Sequence, residues 1–347
     1  MDPLQAISVP QPAFSEDQAK AVLSDDFELS GKLRPLVSER DQNFSVVTAD
    51  QDRFVFKIAN RSEPREATDF QIKALLHIEA KGCRVPTPRV RRNRNGGDAA
   101  TIGEGGNLHV CRVVSFLSGN MFSGVDTTPE LAGNLGESAA ILDLALADFE
   151  HSGQAQSLLW DLQNASQLRD ILSYIDAAEL RSAAESCLDD FDSRIVPVLP
   201  ELRRQVIHSD LHGDNVLVEN NKIAGVIDFG DMLRAPLVME VAVASAYLRP
   251  AADEPNLLLL VGPFIAAYHS VLPLFDDEIE LLFDLIRARL VATIAILCWR
   301  TATRGADDAY SNQNQGGESD AEMYLLRLNS LGRDEFDSQL KKYIKNS

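Results

Sequence analysis

The sequence predicts an α+β chain of two lobes, a small N-terminal lobe built on an antiparallel sheet and a larger, mostly helical C-terminal lobe. Two observations predict this division. β-rich runs separated by turn residues dominate the first third of the chain, whereas apolar residues recur at helical spacing after Ser118-Gly119. Residues 205–230 are a strand-rich interruption of the helical part. We therefore assign residues 1–116 to the first lobe and residues 117–347 to the second.

The N-terminal lobe is predicted to contain a short helix, four strands and one longer helix. The longer helix starts at Pro64 and ends near Lys81-Gly82, because proline favours the first turn of a helix and glycine its end. A Gly/Asn-rich tract before the last strand is a loop. The predicted bounds are 13–24 for the short helix and 44–48, 53–59, 88–92 and 107–116 for the strands.

The C-terminal lobe is predicted to begin with a helix from Leu131 to Phe149, where apolar residues lie three or four positions apart. Its strand-rich interruption holds two short β runs joined by a polar turn, which reads as a hairpin. Another helix is predicted almost directly after Asp231. The longest apolar stretch, Leu290 to Trp299, is too short to span a bilayer and indicates a buried helix.

Composition narrows the classes of partner. The formal net charge of −19 argues against nucleic acid and anionic membranes as partners, but a cationic amine would not be repelled. No cysteine lies in a CxxC pair, so neither a disulfide framework nor a structural zinc site is predicted. The N-terminus shows no basic segment followed by an apolar run, so we expect no signal peptide and a cytoplasmic location. The cysteines are Cys83, Cys111, Cys187 and Cys298.

The chemistry is concentrated in the strand-rich interruption. It contains His208-Ser-Asp210-Leu-x-x-x-Asn215 followed by Asp228-Phe-Gly230, which matches the catalytic loop and the D-F-G element of kinases. A hairpin between them would bring Asn215 and Asp228 together at its open end. A carboxylate and an amide oxygen are suitable ligands for Mg²⁺.

These residues fit phosphoryl transfer, which needs an aligned acceptor hydroxyl and neutralised phosphate charge. We expect Asp210 to accept or orient the proton of the acceptor, and His208 to support the loop through hydrogen bonds. Asn215 and Asp228 would hold metal, and Asp231 would add a metal or substrate contact.

A competing interpretation makes His208, Asp210, His212 and Asp214 the ligands of a zinc or iron hydrolase, since alternating His and Asp can bind such metals. That interpretation explains neither Asn215 nor the D-F-G element. The kinase interpretation explains both.

A nucleotide-binding lysine is predicted at Lys57. On the strand that contains it, Phe54, Phe56 and Ile58 point to one face and Lys57 to the other. Lys57 therefore resembles the strand lysine of kinases that contacts nucleotide phosphates. Its partner on the following helix is left open between Glu66, in the first turn, and Gln71.

No G-x-G-x-x-G or Walker sequence is present to hold phosphates. The segment SERDQNF, residues 38–44, is the candidate for this task, with Arg40 and the backbone amides near Ser38 contacting phosphate and Asn43 bending the turn. An ordinary charged loop is an equally good interpretation.

Together these elements resemble the aminoglycoside-phosphotransferase-like and choline-kinase-like superfamily of small-molecule kinases. Within it the chain is most similar to the hydroxylysine kinase branch, and the resemblance covers nearly the whole chain. The matching blocks are SERDQNF at 38–44, FVFKIAN at 54–60, WDL at 160–162, and the run from IDFGDM to VMEVAVASAY that ends at Tyr247.

The resemblance implies a bilobal protein-kinase-like fold whose N-terminal lobe binds the nucleotide, with ATP or GTP as donor and Mg²⁺ as cofactor. It also implies that Asp210 is the base, that Asn215 and Asp228 are the metal ligands, and that Lys57 contacts phosphate. The connection near residues 113–117 would contact the nucleotide base. Gln71 departs from the superfamily, which often has glutamate there.

The acceptor implied by the branch is hydroxylysine or another amino alcohol, with aminoglycoside, choline and homoserine as alternatives. Candidate acceptor contacts are Asp231, Glu240, Arg289 and Arg300, although the two arginines could form structural ion pairs instead. A catalytically silent nucleotide-binding module of the same fold is a second hypothesis. A protein kinase is disfavoured because no A-P-E element follows the D-F-G element.

Overall fold

The structure is a computed structural model that describes residues 9–38, 40–156, 158–304 and 309–345. Residues 1–8, where the sequence predicts no signal peptide, and Glu39 of the predicted phosphate-binding segment lie outside the described residues. The chain divides into two compact units, which we call unit 1 and unit 2. Unit 1 comprises Met1–Ser118 and Phe149–Leu159, and unit 2 comprises Gly119–Asp148 and Trp160–Ser347.

Unit 1 is built on a six-stranded antiparallel sheet with strand order β1-β2-β3-β6-β4, and β5 pairs with the part of β6 that β4 leaves uncovered. Two helices accompany it. The bounds are β1 Gly31–Leu36, β2 Gln42–Thr48, β3 Arg53–Ile58, β4 Val90–Arg91, β5 Ala100–Ile102, β6 His109–Ser115, α1 Glu16–Phe27 and α2 Arg65–Ala80.

One face of the unit 1 sheet packs against α1. The alternation on β3 places Phe56 and Ile58 in this core, where they join Leu23 and Phe27 of α1. Helix α1 starts three residues later than predicted because Ser15 caps it. The Ser15 hydroxyl accepts from the Gln18 amide at 3.2 Å, while the Gln18 side chain accepts from the Ser15 amide at 2.9 Å.

The segment Phe149–Leu159 belongs to unit 1, although the sequence placed everything after residue 116 in the second lobe. The Phe149 ring stacks on Phe70 of α2 at 5.8 Å, and His151 contacts Asp69 at 3.1 Å. Gly153 lies so close to α2 that a Cβ atom there would sit 2.6 Å from the Glu66 carbonyl oxygen. These contacts are tertiary, so a boundary drawn from local sequence pattern could not include them.

Unit 2 is mostly helical, and its helices pack closely. A Cβ atom at Gly136 would lie 2.0 Å from the carbonyl oxygen of Phe264, so only glycine permits this approach between two helices, α3 and α6. The helical bounds are α3 Pro129–Leu146, α4 Ala178–Asp190, α5 Val238–Ser245, α6 Val261–Val271, α7 Asp276–Ile279, α8 Leu282–Arg304, α9 Ala309–Leu331 and α10 Arg333–Lys345, with a run of 3₁₀ turns over Leu162–Tyr174.

Helix α8 contains the long apolar stretch noted in the sequence and also carries buried charge. The carboxylate of Asp284 is fully buried and accepts from Arg194 at 2.9 Å and from Arg333 at 2.7 Å, with Arg287 at 3.4 Å. Within the described ranges, no helix is both long and apolar enough to cross a membrane.

The strands of unit 2 form two small sheets, β10-β9-β7 and β11-β8. The predicted hairpin is β9 and β10. Strand β11 lies where the sequence predicted a helix directly after Asp231. Alternate residues Leu233 and Ala235 are buried, and the strand pairs with β8 before α5 begins. The bounds are β7 Asn120–Met121, β8 Arg204–Ile207, β9 Val216–Glu219, β10 Lys222–Val226 and β11 Leu233–Pro236.

Candidate active site

The predicted catalytic loop connects β8 to β9 and contains both Asp210 and Asn215. The Asn215 side-chain amide donates to Asp210 Oδ2 at 2.7 Å and to the Asp210 carbonyl oxygen at 3.0 Å. Asp210 keeps 19% of its side chain exposed, so its carboxylate can meet a small molecule. The structure thus brings together the two residues at the ends of the D-L-x-x-x-N motif.

His208 supports the catalytic loop through two hydrogen bonds of its ring. Its Nε2 donates to the Ile227 carbonyl oxygen at 3.0 Å, and its Nδ1 accepts from the Asp210 amide at 3.3 Å. The ring also contacts Phe229 edge-on at 4.8 Å. Burial lowers the pKa of His208, which favours the neutral ring that this hydrogen-bond pattern requires. Both ring nitrogens are occupied, so His208 is unsuited to bind metal.

Glu240 also supports the loop. Its Oε2 accepts from the Ser209 amide at 2.8 Å, and this serine has a φ of 64°, in the left-handed region that non-glycine residues rarely adopt. The Glu240 side chain is only 1% exposed. Because its side chain is buried against the catalytic loop, Glu240 is not accessible for the predicted contact with substrate.

Asn215 and Asp228 lie at the same end of the β9–β10 hairpin. The Ile227 amide donates to the Asn215 carbonyl oxygen at 2.8 Å, which brings the following residue, Asp228, beside Asn215. Asp228 has a φ of 57°. The Asn215 amide nitrogen donates to Asp210, which leaves its Oδ1 as the atom that could act as a ligand. One amide oxygen and one carboxylate therefore fit a hard divalent cation.

The hydrolase interpretation requires His208 as a ligand, but both of its ring nitrogens are engaged in hydrogen bonds. In the part of the chain described, no group of three or more His, Cys, Asp and Glu side chains is arranged to hold a metal ion. Asp214, one of its four predicted ligands, accepts a hydrogen bond from the Ser123 hydroxyl instead.

Two cationic groups lie beside Asp210. Arg289 Nη2 donates to Asp210 Oδ1 at 3.2 Å, and His212 Nε2 lies 3.4 Å from Oδ2. Burial alone would raise the pKa of Asp210, but His212 and Arg289 outweigh it and hold that pKa below its usual value. Burial would likewise lower the pKa of His212, but the Asp210 charge raises it to about 9.

The remaining predicted acceptor contacts are also in unit 2. Asp231 ends the short 3₁₀ turn Phe229–Asp231, is mostly buried, and is close enough to Arg289 for its charge to help raise the pKa of that guanidinium against the effect of burial. Arg300 is fully buried on α8. Sequence reasoning missed Tyr247 and Trp160, which contact Arg289, although both lie in the blocks that carried the family resemblance.

The predicted nucleotide residues are in unit 1. Lys57 on β3 faces Asn43 of β2 on one side and Arg112 of β6 on the other. Gln71 accepts a hydrogen bond from Arg112, which sequence reasoning did not single out, and Glu66 is exposed in the first turn of α2. Neither candidate is therefore established as the partner of Lys57.

The predicted phosphate-binding segment leads into β2. The Ser38 hydroxyl accepts from the Asp41 amide at 3.3 Å, and the Arg40 carbonyl oxygen accepts from Asn60 at 3.1 Å. Asn43 lies within β2 and does not bend the turn as predicted, because it pairs with Lys57 in the sheet.

Comparison with known proteins supplies independent information. Residues 32–275 match the family described as the phosphotransferase enzyme family. The chain is 27% identical over 318 residues to the hydroxylysine kinase of Xenopus laevis, a match that covers 84% of each chain.

Comparison with solved structures identifies kinases of similar fold. A microcompartment-associated aminopropanol kinase superposes with a TM-score of 0.68 at 16% identity, over 94% of this chain and 98% of that one. The amicoumacin kinase hAmiN in complex with AMP-PNP, Ca²⁺ and Ami also gives 0.68, at 13% identity, over 89% and 93%. These likenesses show the fold, and the predicted protein-kinase-like α+β class is confirmed.

Proposed function

Because this chain belongs to the phosphotransferase enzyme family, we propose that it is a kinase that transfers the γ-phosphate of ATP or GTP to a hydroxyl group of hydroxylysine or another amino alcohol. Kinases that act on small hydroxyl-bearing molecules are its relatives, among them one named hydroxylysine kinase. The choice of an amino alcohol as acceptor is supported by the charges of the described residues.

One observation carries the proposal. The Asp210 carboxylate is partly exposed, stays ionised at neutral pH and is held by the Asn215 amide at 2.7 Å. An ionised carboxylate in a fixed orientation can align an acceptor hydroxyl and receive its proton as the phosphoryl group moves. A carboxylate with a lowered pKa is a weak base, so alignment of the hydroxyl is the larger part of its role.

Asn215 and Asp228 would hold Mg²⁺, which neutralises charge on the phosphates of the donor. The hydrogen bond from the Asn215 amide nitrogen to Asp210 supports this assignment, because it leaves the amide oxygen as the ligand atom. In unit 1, we assign contacts with the donor phosphates to Lys57, Ser38 and Arg40.

The acceptor is proposed to carry an amine. Asp231 offers a carboxylate to which an ammonium group would be attracted. A carboxylate on the same acceptor, as in hydroxylysine or homoserine, would be attracted to His212, which lies beside Asp210 and is 20% exposed.

The test is phosphate transfer from ATP and, separately, GTP with Mg²⁺. The acceptors are 5-hydroxylysine, homoserine, 1-amino-2-propanol, ethanolamine, choline and an aminoglycoside. We expect turnover of an amino alcohol that is lost in Asp210→Ala. Tight nucleotide binding without turnover of any acceptor would contradict the kinase and favour a silent nucleotide-binding module. Turnover that survives in Asp210→Ala would contradict the assigned role of Asp210.

A further inference from the structure

Arg289 of α8 lies against the catalytic loop although 79 residues separate it from Asp210. Its guanidinium donates to three groups: Nη2 to Asp210 Oδ1 at 3.2 Å and to the Tyr247 hydroxyl at 3.1 Å, and Nη1 to the Trp160 carbonyl oxygen at 3.1 Å. The side chain is 1% exposed. A group this buried cannot meet a dissolved acceptor directly, so any effect on the reaction passes through Asp210.

The two oxygens of the Asp210 carboxylate are held by different donors. Asn215 binds Oδ2 at 2.7 Å, and Arg289 binds Oδ1 at 3.2 Å. The terminal torsion of an aspartate has a broad energy profile, so a single hydrogen bond leaves the carboxylate plane free to turn. Two donors on opposite oxygens define that plane.

Arg289 is itself fixed in place. Its guanidinium carbon lies 5.0 Å from the centre of the Trp160 ring and 5.5 Å from that of Tyr247. The Tyr247 ring also contacts His212 at 5.3 Å. These residues come from three separate parts of unit 2, so the orientation of Arg289 depends on the tertiary structure of that unit and not on the loop alone.

We propose that Arg289, anchored by Tyr247 and Trp160, is a positioning residue that sets the orientation of the Asp210 carboxylate toward the acceptor hydroxyl. This inference rests on the proposed function. It assigns Arg289 neither to direct acceptor binding nor to a purely structural ion pair. If the Asp210 carboxylate is wrongly oriented, phosphoryl transfer should be slower while nucleotide binding is unchanged, since displacements of about 1 Å can cost about 10²-fold in rate.

The test compares Arg289→Ala, Arg289→Lys and Tyr247→Phe with wild type in the transfer assay. Arg287→Ala is the matched control, because Arg287 lies two residues away on α8, is also buried and contacts Asp284 and Asp190 instead of Asp210. Melting temperature and the Kd for nucleotide are measured for each variant.

We expect kcat to fall by about 10²-fold in Arg289→Ala and by about 10-fold in Arg289→Lys, which keeps the charge but loses the planar fork. Tyr247→Phe should show a smaller loss. The KM for ATP should stay within about 3-fold of wild type in all three. Arg287→Ala should melt earlier and keep its kcat. Added ethylguanidinium at millimolar concentration should restore part of the kcat of Arg289→Ala and leave Arg287→Ala unchanged.

Wild-type kcat in both Arg289→Lys and Tyr247→Phe would overturn the inference, and these two variants decide it if Arg289→Ala does not fold. Equal losses of kcat in Arg289→Ala and Arg287→Ala, without rescue, would also overturn it, because they indicate general destabilisation. Absence of turnover in wild type would instead refute the proposed function, and the inference with it.

Discussion

Lys57 and Arg112 lie directly opposite each other on β3 and β6, so two positive charges share one face of the unit 1 sheet. Arg112 is 3% exposed, and its Nη2 donates to Gln71 of α2. Its Nη1 is buried and has no hydrogen-bond partner within the described residues. A neutral amide thus meets a buried guanidinium at the position where the resemblance led us to expect glutamate.

Two replacements of Gln71, by glutamate and by leucine, should change the free energy of unfolding in opposite directions. In Gln71→Glu a carboxylate can accept from both terminal nitrogens of Arg112, and we expect a gain of about 1 kcal/mol. In Gln71→Leu the guanidinium loses its acceptor, and we expect a loss of about 1–3 kcal/mol. Melting temperatures of the two variants and wild type check this. The same shift in both variants would contradict it.

Asp210 and Asp214 lie in the same loop but should differ in their effect on catalysis. We expect Asp210→Asn to lower kcat by at least about 10²-fold, because the neutral amide lacks the charge that aligns the acceptor hydroxyl and cannot receive its proton. Asp214 is well exposed, and Asp214→Asn should stay within about 2-fold of wild type. Steady-state kinetics on both variants, with nucleotide binding measured in parallel, would separate the two. Equal kinetics would rule out the special role of Asp210.

Asp228 is expected to determine the dependence of nucleotide binding on metal. Asn is the suitable replacement, because it tolerates the left-handed backbone that Asp228 adopts. We expect Asp228→Asn to remove the gain in affinity that Mg²⁺ gives to ATP, while affinity for metal-free ATP remains. Calorimetric titrations with Mg²⁺ and with EDTA measure both quantities. An unchanged response to Mg²⁺ would refute the assignment of Asp228 as a metal ligand.

The pH dependence of stability should contain a contribution from Glu240. Burial raises the pKa of Glu240 from 4.5 to about 7. The folded protein therefore binds more protons than the unfolded chain between these values, and the free energy of unfolding should fall as pH rises through this window. This pKa shift corresponds to a fall of at most about 3 kcal/mol in the free energy of unfolding.

We expect Glu240→Gln to lose most of this fall, because glutamine keeps an acceptor for the Ser209 amide but does not ionise. Buried Asp143, whose pKa burial and Glu240 also raise, leaves a residual slope. Melting temperatures from pH 4.5 to pH 8 provide the test. Exposed Glu219 serves as the control, since Glu219→Gln should follow wild type. A Glu240→Gln profile identical to wild type would refute the assignment.

The resemblance indicated the family, and local pattern predicted the division into sheet and helical parts and the β9–β10 hairpin. Comparison confirms the family and the fold class. The motif from His208 to Asp228 is contiguous, so its spacing alone indicates which side chains a hairpin brings together. The assignments of catalytic, metal and nucleotide residues stay predictions.

Contacts between distant segments were not predictable in this way. Strand β11 looked like the start of a helix because its pairing with β8 is not visible in its own residues. Glu240 looked available to a substrate because nothing local shows that it lies beneath Ser209. The sequence did not single out Arg112, because its proximity to Lys57 depends on the pairing of β3 with β6.

The return of Phe149–Leu159 to unit 1 has a consequence for synthesis on the ribosome. The Phe70 surface of α2 is complete only when Phe149 is present, yet α3, which precedes that segment, belongs to unit 2. A nascent chain must therefore expose part of α2 until residue 159 has left the exit tunnel. Release of residues 1–118 alone, by a premature stop, would leave that apolar surface uncovered and open to chaperones.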